Sequence, residues 1–411
     1  MSAENSSPES IAAWLARAGL GNLPLEELVE GFARRLNETG INVRRVFVGM
    51  DTLHPMVRAR SMIWDRATGI VARFEFQHAE IDLDVIRESP FAAMLEAAEF
   101  EKRLDLRAPP QPKEAPLFAE LRAAGMTAWL GRIFPMGELP PRVGYANAVE
   151  RLGESWLVCS FTTDRPGGFE AVELTKLNEY LPLFALATKA TTARAIYHGL
   201  LAAYLGNDPA ECVFAGKVRR GEVQSVEAVL LYADLRSFTA LADVTPGQEL
   251  IHLLDECFDC MARPVTRRGG EILKFMGDGL LAIFRLDERR RDEICAGALS
   301  AASEALDLMA ELAKKRRAAD KTTPALNVAL HVGTVQYGNV GAEQRLDFTV
   351  IGPAVNEASR IQALCKELGH ELLVSRAFAE AATRSRDHLV SLGRHTLRGV
   401  REPTELFALK S

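Results

Sequence analysis

Residues 271–284 read EILKFMGDGLLAIF. Two short runs rich in Ile, Leu and Phe flank the triplet Gly277-Asp278-Gly279, which predicts two strands, 271–276 and 280–284, around a tight turn. Upstream, residues 226–233 form another apolar run, and Asp234 ends it. Between the two, residues 246–263 place Leu250, Leu254, Cys257, Phe258 and Met261 on one face of a helix. A second helix is expected over 289–313, and further strands over 326–332, 345–351, 371–374 and 404–409. Apolar strands alternating with amphipathic helices define an α/β domain over residues 223–411.

Asp234 and Asp278 therefore stand on loops at neighbouring strand ends. Two carboxylates so placed suit Mg²⁺, which prefers oxygen ligands and takes one or two protein carboxylates beside waters and substrate phosphates. The glycines flanking Asp278 let a phosphate approach the backbone. Taken alone, Gly-Asp-Gly reads as an ordinary turn, where these residues are favoured anyway.

The whole chain bounds the reading. Its 411 residues suffice for two or three domains. A net charge of −6 gives no global basic field to draw in nucleic acid. The run Lys314-Lys315-Arg316-Arg317 reads as a solvated helix end. No stretch approaches the roughly 20 apolar residues of a membrane span, and the polar start MSAENSSPES is not a secretion signal. Six cysteines are too few for a disulfide framework in a chain of this length, and a reduced, cytoplasmic setting is expected. Cys257 and Cys260 read as core filling on their helix. His331 reads as a packed strand residue. The glycine-rich stretch 333–341 lacks the Gly-Lys-Ser/Thr of a phosphate-binding P-loop.

The N-terminal half has a different pattern. Residues 1–20 read as a polar tail. A helix is expected over 24–39, with Leu28, Phe32 and Leu36 on one face, then strands over 43–50, 58–64 and 70–76. A mixed middle leads to strands over 127–134 and 155–163. The turn Asp164-Arg165-Pro166-Gly167-Gly168 opens a long helical stretch over 169–205, which Pro182 is expected to kink or split. This order, with its closing turn TDRPGGF, resembles a GAF domain over residues 21–190, followed by a helical linker over 191–222. The resemblance implies a small-ligand sensor or a dimerisation module. His54 reads as structural rather than as a cofactor ligand.

Four segments of the C-terminal half form a more specific constellation: Leu231–Thr239 with its terminal Asp234; Lys274-Phe275-Met276-Gly277-Asp278-Gly279; Val350-Ile351-Gly352-Pro353-Ala354-Val355-Asn356-Glu357-Ala358-Ser359-Arg360; and Leu397-Arg398-Gly399-Val400. Together they resemble the class III adenylyl and guanylyl cyclase catalytic domain, which implies a ferredoxin-like α/β (α+β) fold. The implied reaction converts ATP to 3′,5′-cyclic AMP and diphosphate. The resemblance implies that Asp234, Asp278 and the carbonyl of Leu235 hold two Mg²⁺ or Mn²⁺ ions per site, and that the backbone at Phe238 and Thr239 cradles phosphate. It implies that Asn356 orients the ribose and that Arg360 stabilises charge at the α-phosphate. Arg398 stands where the family usually has a triphosphate-binding lysine. Lys274 matches the adenine-reading lysine.

The usual aspartate partner of that lysine is replaced by Thr349, seven residues before Asn356. This Lys/Thr pair resembles the class IIIb subgroup, generally adenylyl cyclases and often stimulated by bicarbonate. Asp347 is an alternative partner for the base. The resemblance further implies a homodimer with shared sites, in which Asp234 and Asp278 of one chain face Lys274, Thr349, Asn356, Arg360 and Arg398 of the other. A cyclase acting on GTP or a pyrimidine nucleotide, and a silent nucleotide-binding regulatory protein, are the competing readings.

Overall fold

The computed structural model describes residues 9–21, 23–51, 56–77, 88–112, 114–136, 156–400 and 402–410. His54 lies outside the described residues. The chain divides into two compact units, Met1–Ala203 and Tyr204–Ser411.

The first unit is built on one antiparallel sheet. Its strands are β1 (Arg45–Asp51), β2 (Val57–Asp65), β3 (Ile70–Gln77), β4 (Glu101–Asp105), β5 (Ala128–Pro135) and β6 (Trp156–Thr163), in the order β3-β2-β1-β6-β5-β4. Residues paired across antiparallel strands share a face. Val46 with Phe161 and Val48 with Cys159 therefore turn one way, towards α1 (Ile11–Leu20), α2 (Leu25–Glu38) and the long α5 (Ala171–Leu205). In that core the Phe32 ring stacks on Phe184, with centroids 4.5 Å apart. The other face is covered by α3 (Pro90–Glu96) and α4 (Pro116–Ala123), packed around Trp129 and Ile133.

Three expectations are corrected here. The end of the supposed polar tail is the helix α1. Its Ile11, Trp14, Leu15 and Ala18 recur at helical spacing and are buried, and Ser10 caps it by accepting from the Ala13 amide. Pro182 does not split α5, which runs through it as one helix. The mixed middle contains the edge strand β4, masked in sequence by its charges Glu101, Lys102, Arg103 and Asp105, the composition that suits an edge.

In the second unit, α6 (Asn207–Phe214) precedes β7 (Val223–Arg236). Then follow α7 (Phe238–Ala242), α8 (Gly247–Arg267), β8 (Glu271–Met276), β9 (Gly279–Arg285), α9 (Arg291–Arg317) and β10 (Ala325–Ala342). The strand order β10-β7-β9-β8, with every neighbour antiparallel, is the ferredoxin-like arrangement of two βαβ halves. β11 (Arg345–Ile351) folds back on β10, and α10 (Pro353–Leu368) follows. Next come β12 (Leu372–Ser375), α11 (Arg376–Ala381), β13 (Leu389–His395) and β14 (Thr404–Leu409), which extend the sheet on the β10 side.

Both faces of this sheet are covered, which explains the near-continuous apolar text of its central strands. On β7, Val229, Leu231, Ala233 and Leu235 face α8 and α9, while Ala228 and Leu230 join the core under α10. Cys257 is fully buried in the first of these cores, and burial pushes its thiol up to about 12, as expected for a packing residue. β10 extends well past the expected strand, through the glycine-rich stretch. A side chain at Gly338 would fall 2.2 Å from the Glu222 carbonyl oxygen. Lys314, Lys315 and Arg317 are exposed at the end of α9, but Arg316 is buried and donates to Glu256 at 2.7 Å. Among the described residues no helix is long and apolar enough to cross a membrane.

Candidate active site

The sheet brings Asp234 and the Asp278 turn together. Asp234, near the end of β7, pairs in register with Gly279, the first residue of β9. The Leu235 amide donates to the Asp278 carbonyl at 3.3 Å, which docks the hairpin turn on the end of β7. Gly277 has φ +67°, which favours glycine. A side chain at Gly279 would lie 2.9 Å from Asp234 Oδ1 and 3.0 Å from the Ala233 carbonyl oxygen, so only glycine lets the strands and the carboxylate approach this closely.

Burial, and then the charge of Asp278, push the Asp234 carboxyl up to about 6, while the nearby Gln362 amide acts the other way. Two mutually repelling carboxylates offering only oxygen atoms fit a hard divalent cation. Among the described residues no group of three or more His, Cys, Asp or Glu side chains could hold a metal.

Immediately after β7 the chain turns through Ser237, with φ +62°, and enters α7 at Phe238 and Thr239. The side chain of Leu235 is buried in the core under α8 and α9.

Lys274 and Thr349 lie on strands that pack against each other, β8 and β11, through Leu273, Phe348 and Val350. The register of β8 slips between Ile272 and Lys274, so that Lys274 pairs with Leu281. That slip turns Lys274 to the side of the core that contains Leu281. Thr349 pairs with Gly338 and is 6% exposed, and its hydroxyl has no hydrogen-bond partner. Asp347, two residues earlier, is exposed.

Asn356 and Arg360 are one turn apart on α10 and share a face. The Arg360 guanidinium lies beside the turn at Arg398 and Gly399, where a side chain on Gly399 would be 3.5 Å from Nη2. Gly399 has φ +73°, so glycine serves both the turn and the approach.

Two buried polar residues at α10, His331 beneath it and Gln362 on its inward face, were not singled out as candidates in the sequence. His331 Nδ1 is 2.9 Å from Ser375 Oγ, and its Nε2 is 3.5 Å from Glu357. Gln362 is 8% exposed and lies near Asp234. Its signal was its place on the inward stripe Ala354, Ala358, Ile361, Cys365, where a polar side chain requires a partner.

The second unit is an α/β domain that brings two carboxylates together at neighbouring strand ends. Residues 222–411 match the family of adenylate and guanylate cyclase catalytic domains. The second unit is a class III adenylyl/guanylyl cyclase-like catalytic domain, preceded by an additional N-terminal domain. An uncharacterized protein of Mycobacterium tuberculosis is 30% identical over 248 residues, which cover 59% of this chain and 42% of that protein. An adenylate cyclase of Anabaena cylindrica is 34% identical over 161 residues, 38% of this chain and 30% of that one. The crystal structure of the adenylyl cyclase CyaB from P. aeruginosa is 25% identical, covering 46% of this chain and 96% of that one, with a TM-score of 0.42. The chain spans less than half the length of these curated relatives.

Proposed function

We propose that the protein is an adenylate cyclase that converts ATP to 3′,5′-cyclic AMP and diphosphate. The observation that carries the choice of ATP is the buried, unpartnered hydroxyl of Thr349 on the strand packed against that of Lys274. A buried hydroxyl left without a partner costs about 1–3 kcal/mol, which a bound base would recover. The lysine ammonium donates to a ring nitrogen of adenine. The threonine accepts from the exocyclic amine or donates to a second ring nitrogen.

In the reaction the ribose 3′-oxygen attacks the α-phosphorus, the bond to the bridging oxygen of the diphosphate breaks, and the hydroxyl proton is released. Asp234, Asp278 and the Leu235 carbonyl would hold two divalent cations, Mg²⁺ or Mn²⁺, which supply charge that favours the alkoxide and steadies the triphosphate. The backbone at Phe238 and Thr239 cradles phosphate oxygens. Asn356 orients the ribose, and Arg360 donates to the charge that grows on the α-phosphate. Arg398, beside it, adds a bidentate fork for the triphosphate.

The sites are shared in a homodimer. Asp234 and Asp278 of one chain face Lys274, Thr349, Asn356, Arg360 and Arg398 of its partner, so a two-fold dimer has two complete sites. The N-terminal unit is a GAF-like sensor or dimerisation module, a reading supported by its single antiparallel sheet with helices on both faces. The regulator is an unknown small molecule bound by this unit, if it is a sensor, or bicarbonate acting on the catalytic unit through the class IIIb character of Thr349. A rate series in bicarbonate against chloride, at fixed pH and ionic strength, tests the latter.

The test of the activity is incubation with each of the four nucleotides and Mg²⁺ or Mn²⁺, with the product identified by mass. Cyclic AMP from ATP is expected as the main product. Equal or faster turnover of GTP, or no cyclic product, overturns the proposal.

A further inference from the structure

Asp208, near the start of α6, is the hub of a charged and aromatic cluster inside the second unit. Its Oδ2 accepts from the Tyr337 hydroxyl at 2.6 Å and from the Arg285 guanidinium. That guanidinium also lies over the Tyr337 ring, 4.4 Å from its centroid, a cation–π contact. The Asp208 amide donates to Glu271 Oε1 at 3.4 Å. Gly206, with φ +96°, lets the chain pass this carboxylate, which a side chain there would strike. Tyr337 is 1% exposed, and burial, then the bond to Asp208, push its hydroxyl above the usual phenol range, so it stays a donor. Paired polar networks of this kind make rigid the elements that supply them.

Those elements carry the base-reading pair. Glu271 lies three residues before Lys274 on β8. Arg285 ends β9, the strand paired with β8. Tyr337 stands across from Val350 on β11, and its ring packs edge-on against Phe348 with centroids 4.8 Å apart, so it engages both chain neighbours of Thr349. The other contacts between β8 and β11, through Leu273, Phe348 and Val350, are apolar. Apolar packing is non-directional, whereas the hydrogen bond and the ion pair at Asp208 fix distances. We infer that Asp208 is a positioning residue for base recognition: by clamping Tyr337, Arg285 and Glu271 together it sets the spacing of Lys274 and Thr349. The inference rests on the adenine-reading role proposed above for those two residues.

The test compares full-length variants for the ratio of kcat/KM with ATP to that with GTP. Asp208→Ala removes the hub, and Tyr337→Phe removes only the hydroxyl that reaches it. The ratio should fall about threefold to tenfold in both, a misplacement effect. Met309→Ala opens a cavity in the other core of the unit, under α8 and α9, and is the control: its Tm should fall while its ratio stays at the wild-type value. A wild-type ratio in either folded variant overturns the inference. An equal fall in Met309→Ala also overturns it, since the effect is then one of stability alone. The affinities of fluorescent N-methylanthraniloyl ATP and GTP give the same comparison without turnover. A wild-type chain that forms no cyclic nucleotide refutes the proposed activity, and the ratio of affinities then decides on the positioning role alone. A wild-type chain that neither binds nor turns over ATP in preference to GTP refutes the adenine-reading role, and the inference falls with it.

Discussion

Asp234 stands directly across from Gly279, with no room between the two strands for a side chain on the glycine. The missing Cβ of Gly279 is what allows the Asp234 carboxylate to sit over the turn that carries Asp278.

Gly279→Ala should therefore displace the carboxylate rather than unfold the domain, since the strain falls on one side chain and one carbonyl. We expect activity to fall at least about tenfold, a misplacement effect, with a higher Mg²⁺ requirement. Thermal unfolding should change by only a few degrees. Wild-type metal dependence in the variant would show that the contact relaxes without consequence.

Thr349→Val should separate stability from function. It replaces an unpartnered buried hydroxyl by a methyl of the same shape and suits a strand. The fold should gain on the order of 1 kcal/mol, read as a raised Tm. Preference for ATP over GTP should fall about tenfold or more, because a donor and acceptor to the base is lost. A destabilised variant with intact selectivity would contradict the assignment.

Lys274→Glu should reverse the character of the base-reading position, from a cationic donor to an anionic acceptor. The ratio of kcat/KM for ATP to that for GTP is the quantity to compare, and it should drop by an order of magnitude or more. An unchanged ratio would move base recognition elsewhere.

His331 gives a pH prediction for stability. Burial holds its imidazole down at about 4 in the folded chain, against about 6.5 when unfolded. The unfolded chain then binds more protons between these values, so stability is full above pH 6.5 and is lost as pH falls towards 4. The loss is at most on the order of 3 kcal/mol. Glu357, which faces the ring, is itself raised by burial and offsets part of this by taking up a proton in the fold. Ser375, the other neighbour, does not titrate in this range. His331→Gln, neutral throughout, should flatten the acid limb of a denaturation series. An acid limb as steep as that of wild type would locate the effect elsewhere.

How far the sequence was legible follows from the distance over which each signal acts. β7 and β9 could be read because burial on both faces leaves long apolar runs, and β8 because its Ile, Leu and Phe lead straight into the Gly-Asp-Gly turn. Asp234, Asp278, Asn356 and Arg360 could be singled out as candidates because each sits inside a local motif. β13 was missed: it is an edge strand with exposed Val390 and a register shift between Ser391 and Gly393, and it has no run of its own. α1 was missed because its apolar face is short and lies close behind a polar start. The contacts of His331 were not legible, since they depend on partners far along the chain. Ser375 is 44 residues from His331. No local pattern distinguishes a polar residue with such a partner from one that faces solvent.

The shared site is the central claim, and complementation tests it most directly. Asp234→Ala removes one half of a site and Arg360→Ala the other, so each homodimer should be inactive. In a mixed dimer both lesions fall in one site, and the other takes an intact Asp234 from one chain and an intact Arg360 from its partner. Cyclic AMP formation should return on mixing, to about half the wild-type rate per mixed dimer if the sites act independently. If mixed dimers verified by tagged pull-down stay inactive, the two half-sites do not combine across chains, and the account is wrong.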